Sequence, residues 1–135
     1  MLFRSQTTQN KLVRFVLNLE PRSHIESEHF KLLNWLPVQN RVEQILLCHM
    51  FKINNNVAPD YLKQNFIPQT AQHNHRTRLS VKGGYCIPKV KTSGSKSFCY
   101  IATKLWNNLP AEVINCKTYK SFKNYVKDYM LSKSF

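Results

Sequence analysis

Apolar residues recur every three or four positions along much of the chain, which is the spacing of one face of an α-helix. The longest run of this kind lies at 38–54, where Val42, Ile45 and Met50 share a face and Arg41 and Lys52 are left for solvent. Further helices are predicted at 9–19, at 24–35, at 60–65 and after Thr118, a typical N-cap residue. The pattern therefore predicts a chain built mainly from helices.

The densest apolar stretch lies at 97–110, and its first residues fit two structures. Phe98, Leu105 and Trp106 fall on one helical face, yet Phe98 and Tyr100 also alternate as in a strand. Pro110 ends the stretch. We expect a short strand that leads into a helix, with the strand at 97–100, its pairing partner at 85–89 and the helix at about 102–108.

The predicted fold class is mainly α, a small helical domain with a short two-stranded β element near residues 85–100. Each large apolar side chain that it buries would contribute roughly 1.5–3 kcal/mol. The predicted core consists of the large apolar side chains of the helices, namely Trp35, Ile45, Leu46, Met50, Phe98, Leu105, Trp106, Leu109 and Phe122.

Charge narrows the possible partners. Lysine and arginine total 20 against 7 acidic residues, which gives a net charge of +13 on 135 residues. A surplus of this size favours a polyanion, with nucleic acid ahead of an anionic membrane. No window approaches the roughly 20 apolar residues that a membrane span needs. We expect neither a membrane nor a small-molecule substrate as a partner.

The basic residues gather in a polar, loop-like region and along the last helix. The predicted nucleic-acid-binding residues are His73, His75, Arg76, Arg78, Lys82, Lys89, Lys91 and Lys96 in the first group and Lys117, Lys120, Lys123 and Lys127 in the second. A lysine stripe is also typical of an ordinary solvated helix face, so both interpretations of the second group stay open. Tyr119 and Tyr125 either stack on bases or pack in the core.

Little in the sequence points to catalysis or to a metal. Polymerases hold their metal ions with paired acidic residues, whereas the two aspartates here, Asp60 and Asp128, are far apart. The four cysteines are also widely spaced, unlike the close ligand pairs of zinc sites. We predict no enzyme activity, no metal and no cofactor. Without a signal-peptide pattern, we expect free thiols and an intracellular location, with nucleus and cytoplasm not distinguished.

Several short motifs follow one another in a specific order. They are Gln9-Asn10 with Arg14, Leu33-x-Trp35-Leu36-Pro37 with Arg41, Met50-Phe51-Lys52-Ile53, Ala58-Pro59-x-Tyr61-Leu62, Arg76, Pro88, Ser97-Phe98, Leu105-Trp106-Asn107-x-Leu109-Pro110 and Phe122-Lys123. In this order and spacing, residues from about 9 to 131 resemble the C-terminal, post-thumb tail of LINE-type, non-LTR, jockey-like retrotransposon reverse transcriptases.

The resemblance implies a non-catalytic C-terminal fragment of a retrotransposon polyprotein of the RNA-directed DNA polymerase family. On this basis residues 1–20 hold a helix from the end of a missing upstream, thumb-like domain, and 21–135 form a basic helical C-terminal domain. We expect weak, sequence-independent binding of RNA or DNA, with the polymerase portion of the polyprotein as a further partner. The alternative is a structural module that packs on the rest of the polyprotein and has no activity alone.

Overall fold

Helices make up most of the computed structural model, as the apolar periodicity predicts. The structure describes residues 2–72 and 74–133. Its helices are α1 (Leu2–Val16), α2 (Ser27–Leu33), α3 (Val38–Asn54), α4 (Asp60–Lys63), α5 (Gln69–Gln72), α6 (Arg78–Lys82), α7 (Phe98–Asn107), α8 (Ala111–Ile114) and α9 (Tyr119–Ser132), with a 3-10 helix at Thr92–Lys96. The prediction of a small, mainly helical domain is confirmed.

Short polar side chains set where several helices begin. The hydroxyl of Thr118 accepts a hydrogen bond from the backbone N–H of Ser121 at 3.2 Å and caps α9, as predicted. α2 begins at residue 27, later than the predicted start at 24, because Glu26 and His29 form a capping box there. The backbone N–H of Glu26 donates to Nδ1 of His29 at 3.0 Å, and the Glu26 side chain accepts from the backbone in return.

The central helix is α3, which packs against α1, α7 and α9. Its buried face carries Met50, which is fully buried, and Phe51. The ring of Phe51 stacks on that of Phe122 from α9, with centroids 4.5 Å apart, and Phe122 lies 5.8 Å from the ring of Trp106 from α7. These contacts join three helices into one hydrophobic core.

The predicted core residues differ in how deeply they lie. Those that are buried are Met50, Trp106, Leu109 and Phe122. Those that are partly buried and pack against the core are Leu46, Phe98 and Leu105. The two that lie outside the buried core are Trp35, which is half-buried, and Ile45, which is 45 % exposed.

The prediction for Ile45 is wrong because α3 is apolar over a wider arc than the core covers. Its neighbour Gln44, about 100° away around the helix, takes the inward position and is 1 % exposed. A buried glutamine is stable there because its amide is hydrogen-bonded to α9. Trp35 follows the last turn of α2, where it lines a surface recess instead of the core.

Side chains of α7 form hydrogen bonds with the backbone of the segment from 83 to 85. The side-chain oxygen of Asn107 accepts from the backbone N–H of Tyr85, and its amide nitrogen donates to the Tyr85 carbonyl, both at 2.9 Å. The indole Nε1 of Trp106 donates to the carbonyl of Gly83 at 3.1 Å. We call Gly83, Tyr85, Trp106 and Asn107 the Asn107 clamp.

The predicted pairing of a strand at 97–100 with one at 85–89 is wrong. α7 begins at Phe98, because Ser97 caps it and its helical face buries Ala102 and Trp106. Tyr85 instead forms an isolated antiparallel bridge with Pro68. The helical periodicity of the stretch therefore prevails over the alternation at its start.

The first helix packs on the chain that leads into α3. The Gln9 side chain donates to the carbonyl of Leu36 at 2.8 Å, and Val13 is fully buried. The other face of α1 remains exposed, with Phe15 at 84 %. α1 therefore contacts the rest of the fold through a narrow part of its surface and leaves an apolar face in solvent.

Candidate nucleic-acid interface

Most lysines and arginines of the described residues have no acidic partner. Lysine and arginine outnumber acidic residues by 20 to 7, and within residues 2–72 and 74–133 one ion pair occurs, between Lys63 Nζ and Asp60 at 3.2 Å. That pair is at the surface, where an ion pair contributes little to stability. The other cations create a positive potential that attracts polyanions.

The first group of predicted nucleic-acid-binding residues extends, within the described residues, over the segment from 74 to 96. Its exposed members are His75, Arg76, Arg78, Lys89, Lys91 and Lys96. His73 lies outside the described residues. Lys82 has a structural contact, since its Nζ donates to the carbonyl of Asn107 at the end of α7, at 3.0 Å.

The second group of predicted nucleic-acid-binding residues, on α9 and just before it, differs in exposure. Lys117 and Lys120 are exposed, whereas Lys123 and Lys127 are half-buried. Lys123 lines one recess together with Arg41 of α3, and Lys127 lines a second recess with the same arginine. The structure therefore brings together cations from two helices that are distant in sequence.

The first of these recesses has a volume of about 210 Å³, and we call it the α3–α9 cleft. Its lining residues are Arg41, Gln44, Ile45, Cys48, His49 and Lys52 from α3 and Tyr119 and Lys123 from α9. None of them is acidic. At about 30 Å³ per water molecule, the cleft has room for one phosphate group with part of its hydration shell.

Gln44 fixes the inner wall of the α3–α9 cleft. Its amide nitrogen donates to the backbone carbonyl of Lys123 at 3.0 Å, and its oxygen accepts from the guanidinium of Arg41. One buried amide thus ties α3 to α9 and orients Arg41. Lys52 lies over the ring of Tyr119, with its Nζ 5.0 Å from the ring centroid.

The electrostatics of the cleft favour an anion. Burial raises the pKa of the Cys48 thiol, against the effect of a hydrogen bond with Tyr119 and of the charges of Lys123, Arg41 and Lys52. Burial and the same hydrogen bond raise the pKa of Tyr119. Both groups are therefore neutral near pH 7, so the cations are not compensated from within the cleft. A protonated thiol is also a poor nucleophile.

The sequence-based prediction includes Lys123 but misses Arg41, His49 and Lys52. These three residues lie on one side of α3, since they follow one another at i, i+8 and i+11. Their common side was therefore visible in the sequence. Its position beside Lys123 was not, because that depends on how α3 and α9 pack.

Neither a metal-binding cluster nor a membrane-spanning helix occurs among the described residues. Among the described residues, no three histidine, cysteine or acidic side chains come together to hold a metal ion. Of the helices in this part of the chain, none combines the length and the apolar content that crossing a membrane requires.

Comparisons with protein-family models, with curated proteins and with solved structures found no match to this chain. Its fold and its α3–α9 cleft define a small, basic, mainly helical domain with a cationic recess between two helices.

Proposed function

We propose that the chain binds RNA or DNA weakly and without sequence preference. The observation that carries this proposal is the surplus of 20 basic over 7 acidic residues, with one ion pair among the described residues. Such a surface binds phosphates by releasing their condensed counterions. Contacts to phosphates position a nucleic acid but do not read its bases, so no sequence preference is expected.

The α3–α9 cleft is the proposed centre of the interface. Its concave shape allows Arg41, Lys52 and Lys123 to approach one phosphate from different sides. Lys127 lies in the neighbouring recess, which also contains Arg41, and extends the positive surface along α9. The exposed cations between 74 and 96 would add further backbone contacts.

The motif resemblance supports a context for this activity, namely a non-catalytic C-terminal part of a LINE-type reverse transcriptase polyprotein. The motif Leu105-Trp106-Asn107-x-Leu109-Pro110 has a structural explanation in the fold. Trp106 and Leu109 are buried, Asn107 forms the clamp, and Pro110 precedes α8. Packing therefore accounts for these residues, and the binding proposal depends on the cations instead.

Fluorescence anisotropy of labelled RNA and single-stranded DNA at several salt concentrations tests the proposal. For about four to six phosphate contacts, the logarithm of affinity should fall against the logarithm of salt with a slope of roughly −3 to −4. A double variant, Lys52→Gln with Lys123→Gln, should reduce the magnitude of the slope by about 1.4. The matched control, Lys117→Gln with Lys120→Gln, removes equal charge outside the cleft and should reduce it less.

A second candidate function is an interaction module that packs on another part of a longer protein. The exposed apolar face of α1 favours it, with Leu12 and Val16 each 51 % exposed and Phe15 84 % exposed. If no nucleic acid binds at roughly tens of micromolar protein in low salt, where non-specific binding is normally detectable, the first proposal fails and this one takes its place.

A further inference from the structure

An apolar groove opens next to the α3–α9 cleft. It lies between α3, α4 and the start of α7 and has a volume of about 700 Å³, within the range of about 300–1,000 Å³ that is typical of ligand sites. Its apolar side chains include three that are largely exposed, Ile45 at 45 %, Tyr61 at 68 % and Val57 at 72 %. The fold itself does not explain why these side chains lie in solvent together.

The apolar groove and the α3–α9 cleft form one continuous surface. Ile45, His49 and Lys52 line both of them. Among the described residues, Lys52 is the one lysine or arginine in the lining of the groove, and none of the lining residues is acidic. The positive charge is therefore concentrated at the end that the groove shares with the cleft. Phe98 lies beside this end, where its ring meets that of His49 edge-on at 6.4 Å.

This arrangement matches a ligand with an anion at one end and flat apolar groups at the other. A single-stranded nucleic acid has such groups, since each phosphate is followed by a base with a free π-face. In a duplex the bases are paired and stacked, and only the phosphates are available. An amphipathic helix from another protein would also place apolar side chains in the groove. It matches less well because the cations lie at one end, in the α3–α9 cleft, where a phosphate next to a base would meet them.

We propose that the α3–α9 cleft and the apolar groove together bind single-stranded nucleic acid, with a phosphate in the cleft and adjacent bases in the groove. This inference rests on the proposed function and adds the class of strand that is preferred. It assigns a separate role to each part. The cleft supplies the salt-dependent affinity, and Tyr61, with the other aromatic side chains of the groove, supplies the preference for unpaired bases.

Three labelled probes of equal length separate these roles by fluorescence anisotropy. They are a single-stranded oligonucleotide, the corresponding duplex, and an abasic strand that keeps the sugar and phosphates but has no bases. The wild-type chain should bind the normal single strand about tenfold more tightly than the abasic strand, since stacking on an aromatic ring strengthens binding of each base. It should also bind the duplex more weakly than the normal single strand.

Substitutions in the two parts should have different effects. Tyr61→Ala should reduce the tenfold preference over the abasic strand to about twofold or less and leave the salt slope unchanged, whereas Tyr61→Phe, which keeps the ring, should retain the preference. Tyr125→Ala is the matched control, because Tyr125 is 55 % exposed and lines neither the cleft nor the groove. Lys52→Gln with Lys123→Gln should weaken binding of all three probes.

The possible results distinguish this inference from the proposed function. Equal affinity of the wild-type chain for normal and abasic strands would overturn the inference but leave phosphate binding intact. An unchanged preference in Tyr61→Ala would do the same. If a synthetic acidic amphipathic peptide occupies the groove without displacing the single strand, the groove is a protein-docking site and the inference is wrong. If none of the three probes binds in low salt, the proposed function itself fails.

Discussion

The Asn107 clamp and the α3–α9 cleft use polar side chains in opposite ways. In the clamp, the side-chain amide of Asn107 and the indole N–H of Trp106 each bond to a backbone group. In the cleft, Lys52 and Lys123 have no ion pair among the described residues. Paired polar groups stabilise a fold, whereas like charges that lie close together destabilise it. The bonds of the clamp therefore serve folding, whereas the cations of the cleft are available for the phosphate binding proposed above.

The largest expected effect comes from removing the indole at the centre of the clamp. Trp106 is fully buried and lies against Phe122, so Trp106→Ala should lower the free energy of unfolding by about 3–5 kcal/mol. Urea denaturation followed by circular dichroism measures this loss. Trp35→Ala, at a half-buried position, is the control and should lose less. If both variants lose the same free energy of unfolding, Trp106 in the clamp is no more important for stability than half-buried Trp35.

The second effect isolates the hydrogen bonds of the clamp. Asn107→Ala leaves the backbone N–H and carbonyl of buried Tyr85 without their partners, which should lower the free energy of unfolding by about 2–3 kcal/mol. Asn108→Ala is a matched control, since it changes an identical but exposed neighbour and should shift stability by less than about 0.5 kcal/mol. The same urea titration compares them, and similar stabilities would show that the two bonds do not matter.

The clamp also shows how far the sequence predicts the fold. Helical periodicity located α3 at 38–54 and the core position of Trp106, because both depend on local spacing and large side chains. The pairing of residues 85–89 with 97–100 was predicted incorrectly, since Tyr85 forms its bridge with Pro68 and its backbone N–H and carbonyl bond to the side chain of Asn107. An asparagine side chain that bonds to a distant backbone segment leaves no periodic signal in the sequence.

The cleft was less predictable than the clamp. Composition predicts a cationic surface, and Lys123 was among the predicted nucleic-acid-binding residues. The cations that line the cleft with Lys123 come from α3, about 70–80 positions earlier. Gln44 decides the packing there by bonding to the backbone of Lys123, and a glutamine within an apolar run is ordinarily assigned to solvent. A contact of this kind depends on tertiary structure and is not encoded in local periodicity.

A third effect concerns pH and tests the clamp through Tyr85. Burial raises the pKa of its hydroxyl, so the folded state keeps this proton at pH values where the unfolded chain has lost it. Ionisation of Tyr85 should therefore not affect stability below about pH 10, the ordinary pKa of tyrosine, and should lower stability as pH rises above it. Tyr85→Phe removes the hydrogen bond from the Tyr85 hydroxyl to Asn54. This should lower the free energy of unfolding by about 1 kcal/mol at neutral pH.

The alkaline decline should be shallower in Tyr85→Phe than in the wild-type chain. It should not vanish, because burial raises the pKa of Cys48 and Tyr119 as well. Urea denaturation at a series of pH values from neutral to alkaline measures both slopes. An equally steep decline in the variant would mean that the hydroxyl of Tyr85 does not contribute to the pH dependence of folding.

The smallest expected effect concerns the α3–α9 cleft, where substitutions should not lower the free energy of unfolding. Lys52→Gln with Lys123→Gln removes two cations of the α3–α9 cleft that have no acidic partner among the described residues. Stability in low salt should stay the same or rise by about 0.5 kcal/mol, since the relief of mutual repulsion opposes the loss of the contact between Lys52 and the Tyr119 ring. Arg41 is left in place because its guanidinium bonds to buried Gln44. The gain should disappear in high salt, where exposed charges are screened. If the free energy of unfolding of this double variant falls by more than about 1 kcal/mol, the two cations stabilise the fold as the clamp does. Their lack of an acidic partner would then no longer support the proposed binding role of the cleft.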